Sequence, residues 1–590
     1  MIVEKGEVSN LEETVISGRS RKHRREAHTN NKILPPFFTS FSLLIVSMIL
    51  SLTLFASPLT RQLPTSEASF ARFAAMMMNK GGVPYLDFVT DKGIIYLLIN
   101  QLGNIQIFNV SLSLFIQIFI YFFVGLLINA SIQRVVKHDK ISLIITIFSM
   151  LTLARLTLGG ETAALYAMPF LTLAFYLMFN RIMNYEHTSD EAMILFGLSG
   201  AMLAFIDASQ LVLWLLLAVT WLIVSISGKS FKQFVYQLLC LIFGALLIIF
   251  PIIIFTSVSG NLNGMLQSTF SNRLLNLFST NQSSLLDNVI SGGFILLVYG
   301  LLISVMPLLI SLFKPTNQRS LHFFLFIYNA VGLAIYLFST TNQLNILAAV
   351  IPSLAISTAL WLRTLISWRI LPQLSIQKIS VLGVLLLFII GNIFLPIVGL
   401  VNYGNNTYRL MQTSKKDQQA ELIADYIADN SKTQALIYVW EADSNIYYLA
   451  NRRPAANYTL QSTIDFNNYR NRNTKIVSQI KDSQPKYFVI PTNIVKNGEQ
   501  LKGWSKTLYQ YVTDNYQWVT IDRVSKDSYY VGELKESAAA ESTEEGVEES
   551  MTVPDESVTE SSSEEGQTAT DSTEAVVADS TTTDTVEEGY

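Results

Sequence analysis

Two residue types on which many enzymes rely are nearly missing from this chain. Of its 590 residues one is a cysteine, Cys240, and five are histidines. A single thiol excludes an intramolecular disulfide and a thiolate metal site. His23, His28, His138, His187 and His322 all fall in segments assigned below to the cytoplasmic side, which argues against histidine catalysis on the outer face. Charge is scarce as well: 15% of residues are Asp, Glu, Lys or Arg, where a soluble protein carries about a quarter. No G-x-G-x-x-G, phosphate loop or internal repeat is present, so the nucleotide-binding classes built on those motifs have no foothold here.

What the chain has in excess is apolar sequence. Half of the residues are apolar and the mean hydropathy is +0.36. Runs such as 243-FGALLIIFPIIIF-255 and 383-GVLLLFIIGNIFL-395 read as membrane spans, because a helix satisfies its own backbone hydrogen bonds across roughly 30 Å of hydrocarbon. Eleven are expected, at about 37–57, 109–130, 141–157, 162–180, 192–208, 210–227, 233–257, 291–313, 321–339, 344–363 and 378–401. The leader 19-RSRKHRREAH-28 is long and basic and no small-x-small cleavage site follows the first span, which predicts an uncleaved anchor.

Orientation follows from the basic loops. The segments 134-RVVKHDK-140, 181-RIMNYEH-187, 228-GKSFK-232, 314-KPTNQR-319 and 363-RTLISWR-369 all carry Lys or Arg, which places them and the N-terminal segment 1–36 in the cytoplasm. An odd number of crossings then predicts that residues 403–535 lie outside the cell. Of the 45 acidic groups 17 stand beyond residue 535, where no Lys or Arg occurs, which leaves 28 against 41 basic groups in the rest of the chain. The tail 536–590 is rich in Ser, Thr and Glu and lacks the apolar surface to fold.

Between the spans, two external loops are long, 58–108 and 258–290. Stretches 68–80 and 94–103 within the first predict short helices at the membrane surface. In 403–535 the rhythm changes. Helical patterns at 418–430, 445–452 and 473–482 alternate with strand-like 435–441 and 486–492, which predicts a small α/β layer domain. The expected fold class is thus a polytopic α-helical membrane protein with an extracellular α/β domain and a disordered acidic tail.

The bundle's midplane is almost free of charge; Arg155, Glu161 and Asp207 stand near predicted outer ends. Ion-coupled transporters place ionisable groups deep in the membrane, so a site at the outer interface fits better. The loop 67-EASFARFAAMMMNKGGVPYLDFVTDKGIIYLLINQLG-103 resembles the first external loop of bacterial GT-C-fold glycosyltransferases, the superfamily of aminoarabinose transferase and protein mannosyltransferase. The matching positions are Glu67, Phe70, Gly82-Val83-Pro84-Tyr85, Asp87 and Lys92-Gly93. Two later segments carry the same resemblance: 159-GGETAALYAMPF-170, and 446-IYYLANRRPAANY-458 with 485-PKYFVIP-491. Departures are visible too. Glu67 replaces an Asp, the family's Asp-His-Lys-Gly-Pro has become 90-TDKGI-94, and Ala164 and Leu165 stand where a carboxylate pair is common.

The resemblance implies inverting transfer of a sugar from a polyprenyl-phosphate donor to a cell-envelope acceptor, polymer or protein, at the outer leaflet. A base must hold an ionised carboxylate within hydrogen-bond reach of the attacking hydroxyl, and Glu67 is the candidate. Departing phosphate needs cationic or N–H donors; Lys92 and Arg72 are candidates. Tyr85 belongs to the same motif as a substrate-binding candidate, and Asp87 is a candidate to support the site or hold a divalent cation. Arg155, costly inside a span, is expected to pair with Glu161 six residues on. Tyr447, Tyr448, Arg452 and Arg453 are expected to pack the outer domain on the bundle. Two alternatives stand beside the transferase: a catalytically inactive scaffold of envelope assembly, and a lipid or sugar transporter.

Overall fold

The computed structural model describes residues 36–64, 66–184, 189–227, 231–272, 274, 286, 290, 319–338, 344–367, 395–440, 444–457, 472–525 and 528–535. The helical part opens with α1 (Phe37–Ser51), followed by α2 (Ser66–Asn79) and α3 (Ile94–Gly103) in the first long loop. A short antiparallel hairpin, β1 (Gln106–Ile107) and β2 (Val110–Ser111), leads into α4 (Leu112–Val136). Then come α5 (Asp139–Leu156), α6 (Ala163–Asn184), α7 (Asp190–Ile206), α8 (Leu211–Ser227), α9 (Phe231–Val258) and the short α10 (Leu262–Leu266). Farther on lie α11 (Arg319–Phe338), α12 (Ile351–Ser367) and α13 (Leu395–Leu410). The span expected at 291–313 and most of that at 378–401 lie outside the described residues, as do 1–35 and the tail 536–590.

Among the described residues five helices are long and apolar enough to cross a membrane: α4, 163–183 of α6, 208–226, α9 and 320–337 of α11. Coverage is least where hydropathy is greatest and most where it is least. In α9, the most apolar of them, 11% of the spanning window is buried inside the protein, against 78% in α6. A soluble fold would hide its most apolar helix. Lipid as the surrounding solvent explains the inversion: the protein is embedded in a membrane, with α9 at its rim and α6 at its centre.

The two short helices of the first long loop do form, but neither lies open on a surface. Phe70, Phe73 and Ala74 of α2 and Ile94, Tyr96 and Leu97 of α3 are fully buried. The first is covered in part by the C-terminal α/β layer, where the Tyr447 ring sits 5.3 Å from that of Phe73, and the second by the bundle, where the Tyr96 ring sits 5.9 Å from that of Tyr166.

That layer begins with α14 (Lys415–Asp429), whose N-cap Ser414 accepts from the Asp417 N–H at 3.1 Å. It continues through β3 (Leu436–Val439), α15 (Asn445–Ala450), β4 (Arg453–Pro454), α16 (Arg472–Ser483), β5 (Tyr487–Pro491), α17 (Thr492–Lys496), α18 (Trp504–Asn515), β6 (Tyr516–Val519) and β7 (Tyr529–Leu534). The strands form one mixed sheet in the order β4-β3-β5-β7-β6. β3 runs parallel to β4 and β5, while β7 is antiparallel to β5 and β6. Alternation along a strand sends successive side chains to opposite faces. Ile437 and Val439 join Ile423 and Ile427 of α14 in one core. Tyr438 and Trp440 join Ile476 and Ile480 of α16 and Leu508 and Val512 of α18 in another. Both faces of the sheet are therefore covered by helix at its centre, which is why β3 and β5 read as continuous apolar runs.

Polar ties hold this layer to the first long loop. The Asn445 amide donates to the Pro64 carbonyl at 2.7 Å, Lys80 donates to the Asn451 carbonyl at 2.8 Å, and Arg453 donates to the Lys80 carbonyl. Arg452 corrects its expected role: it is buried and donates to the Ala428, Ser431 and Ala450 carbonyls, tying α14 to α15 within the layer rather than docking it on the bundle.

Candidate active site at the first long loop

Glu67 stands in the first turn of α2, where the helix dipole favours a carboxylate. Its side chain turns inward. Oε1 accepts from the N–H of Ala163, the first residue of α6, at 2.8 Å and meets Lys92 Nζ at 3.2 Å. The carboxylate thus lies on a second helix N-terminus as well. The two side chains are 10% and 7% exposed, so this is a buried ion pair.

Lys92 is delivered by a tight turn. Its N–H donates to Thr90 Oγ1 at 3.2 Å, and its carbonyl accepts the Tyr85 hydroxyl at 2.7 Å. Gly93 presses this turn against the end of α7: a Cβ there would lie 2.0 Å from the Phe205 carbonyl oxygen. No residue with a side chain fits that approach.

Glu161 is held differently. Gly159, Gly160 and Glu161 take φ of +87°, +71° and +55° in succession, a left-handed run that is costly for the non-glycine member. A Cβ on Gly160 would lie 1.9 Å from Gln117 Oε1, the same oxygen that accepts the Glu161 N–H at 3.3 Å. The turn aims the Glu161 carboxylate at Arg72, whose Nε lies 3.1 Å from Oε2 and whose Nη2 donates to Oε1 at 3.4 Å and to the Phe55 carbonyl at 3.0 Å. Burial alone would lower the guanidinium pKa, but the Glu161 carboxylate more than offsets this and the net shift is upward.

Tyr96 joins the two pairs. Fully buried on α3, its hydroxyl donates to the Glu161 carbonyl at 2.9 Å and reaches the Glu67 carbonyl at 3.4 Å. Burial first, and then the Glu67 carboxylate, raise its pKa well above the ordinary tyrosine value, with Glu161 and Asp91 adding to the effect. It is a fixed donor at any physiological pH.

Beside the Arg72–Glu161 pair opens a cavity of about 190 Å3. Its walls include Asn100, Asn104, Asn109 and Ser113, and Tyr448 from the α/β layer. The Tyr448 hydroxyl donates to Asn104 Oδ1 at 3.2 Å. Glu67 and Lys92 do not line it.

Four of the seven residues singled out in the sequence, Glu67, Lys92, Arg72 and Glu161, thus form two ion pairs joined through Tyr96. The other three do not join them. Tyr85 is buried beneath the Lys92 turn, itself at φ +67°, and orders that turn. Asp87 is exposed, and its Oδ2 accepts the Val83 N–H at 2.6 Å within a surface turn. Arg155 does not pair with Glu161: its guanidinium donates through both terminal nitrogens to the Asn406 amide oxygen, at 2.9 and 3.1 Å. The reason is geometric, since the left-handed turn at 159–161 carries the Glu161 side chain away from α5 and toward α2.

Sequence reasoning missed Tyr96, Asn100 and Asp91. Asp91, 3% exposed beside Lys92, was visible in the 90-TDKGI-94 segment as its one acidic residue. Among the described residues no cluster of three or more His, Cys, Asp or Glu side chains has the geometry to hold a metal ion.

A membrane-embedded helical bundle with paired carboxylates and cations where its first long loop meets the 159–163 segment, followed by a C-terminal α/β layer, has the GT-C fold. Among solved structures, ArnT from Cupriavidus metallidurans matches in its apo state with a TM-score of 0.52 at 15% identity. Bound to undecaprenyl phosphate it matches at 0.51 and 14%; each match covers 85% of this chain and 98% of that one. The chain belongs to the competence-induced Ccs4 family, whose N-terminal domain matches residues 28–412 and whose C-terminal domain matches 417–531. No curated protein matches the sequence.

Proposed function

We propose that the protein is a membrane glycosyltransferase that moves a sugar from a polyprenyl-phosphate donor to a cell-envelope acceptor on the outer face. The observation that carries this reading is the buried Glu67–Lys92 pair at the junction of α2, α6 and the 90–93 turn, within a fold similar to that of ArnT. Glu67 is the base: as donor phosphate displaces Glu67 from Lys92, the freed carboxylate accepts the proton of the acceptor hydroxyl while that oxygen attacks the anomeric carbon. Polyprenyl phosphate leaves with its charge met by Lys92. Inversion at the anomeric carbon follows from the single displacement. The undecaprenyl phosphate bound in one ArnT structure supports a lipid-linked donor here.

With the basic loops inside, the eleven-span topology puts residues 403–535 and the first long loop outside. One observation favours a second reading, an inactive scaffold: in the described structure Glu67 is engaged on both sides, by Lys92 and by the Ala163 N–H. The two readings part in cells grown under competence-inducing conditions, the state for which the family is named. Mass analysis of envelope glycopolymers and polyprenyl-phosphate sugars compares the wild type with a strain lacking the gene. Loss of one sugar from a polymer together with accumulation of its lipid donor supports the transferase. Unchanged glycans with normal donor levels favour the scaffold.

A further inference from the structure

The cavity beside Arg72 and Glu161 has a chemistry of its own. Among the described residues its only charged walls are these two, and they neutralise one another at 3.1 Å. Arg72 is moreover committed to the Phe55 carbonyl. A phosphate entering here would meet the Glu161 carboxylate and a guanidinium whose Nε and Nη2 donors are already engaged, an unfavourable exchange for a dianion. The remaining polar wall is neutral. Asn100 and Asn104 stand on and just after α3, Asn109 and Ser111 on the hairpin, Ser113 at the start of α4, and Tyr448 on α15. Amides and hydroxyls that both donate and accept are the groups that match the alternating donors and acceptors of a polyol.

We propose that this cavity is a binding subsite for a neutral sugar ring, and that it excludes phosphate-bearing groups. At about 190 Å3 it is at the scale of one pyranose. Two features fix its shape. The Gly159-Gly160-Glu161 turn stores left-handed backbone to hold the carboxylate in the wall, where it accepts from sugar hydroxyls. The hairpin tip, with Phe108 and Asn109 at φ +52° and +61°, brings Asn109 over the opposite side. Tyr448 makes the subsite depend on the α/β layer as well as the bundle. Binding of a sugar ring stands without any transfer chemistry. Only the corollary, that the ring belongs to a glycan acceptor rather than to the phosphate-linked donor, rests on the proposed transferase.

The test uses the full chain in lipid nanodiscs and saturation-transfer NMR. The probes are methyl glucoside, methyl galactoside and N-acetylglucosamine, with inorganic phosphate and glycerol 3-phosphate as charged competitors. At least one neutral sugar is expected to bind and to be undisturbed by equimolar phosphate. Asn109→Gly, which keeps the left-handed turn but removes the amide, and Asn104→Ala are each expected to weaken that binding about three- to tenfold. Melting temperatures of both variants serve as the check on folding. The proposal is overturned if no neutral sugar binds, if phosphate competes, or if both folded variants bind as the wild type does. Failure of the transferase reading is seen separately, as sugar binding without any sugar transfer.

Discussion

Two ion pairs stand side by side in this protein and differ in access. Lys92–Glu67 is closed, with both side chains nearly inaccessible, and the carboxylate is also committed to the N-terminus of α6. Arg72–Glu161 is half open: the Arg72 side chain is 24% exposed and forms part of a polar cavity wall. Tyr96 bonds to the backbone carbonyls of both acidic residues, so the pairs share one support while facing different surroundings. In the proposed reaction the pair that must part is the dry one, where separating it is costly and its charges act strongly. A pair that shapes a pocket is left wet and pays for its position with backbone strain.

The sharpest way to break this contrast is Lys92→Met. It leaves the Glu67 carboxylate buried without its cation, and a loss of about 3–5 kcal/mol is expected in denaturant or thermal unfolding. The double variant Glu67→Gln/Lys92→Met is expected to recover most of that stability while remaining inactive. If the single variant is as stable as the wild type, the pair is not desolvated as described.

Gly160→Ala comes next. It places a Cβ 1.9 Å from Gln117 Oε1 at φ +71°, and about 2–3 kcal/mol of destabilisation is expected from overpacking and strain together. A melting temperature within about 1 °C of the wild type would show that the turn relaxes freely.

How much of this was legible in the sequence depends on distance along the chain. Local features were: the apolar runs of the spans, the strand-like segments 435–441 and 486–492, and the paired glycines before Glu161. What pairs with what was not. Arg155 is six residues from Glu161, yet Glu161 meets Arg72, 89 residues away, because a left-handed turn reverses the direction of its side chain. Tyr85 sat in a recognisable motif, but only the fold reveals that its hydroxyl supports the Lys92 carbonyl rather than facing a ligand. Strands β6 and β7 escaped notice since Gln517 and Trp518 are exposed and Gly532 interrupts the apolar pattern. Span 291–313 lies outside the described residues.

Smaller effects sharpen the comparison. Arg72→Gln removes the half-open pair, and about 1–2 kcal/mol is expected, less than for Lys92→Met because solvent reaches the guanidinium. Equal losses at the two positions, measured by the same unfolding assay, would erase the distinction between the closed and the open pair. Asp87→Asn, confined to a surface turn, is expected to cost under about 1 kcal/mol and to leave sugar transfer unchanged in membranes. A loss of transfer there would bring Asp87 back into the site.

The most direct measurement of the central claim is the release of polyprenyl phosphate from polyprenyl-phosphate sugars by membranes carrying either the wild type or Glu67→Gln. A rate at least about 100-fold lower in the folded variant is expected of a general base. Equal release by both proteins, or none by either in membranes that contain donor and acceptor, would contradict the account.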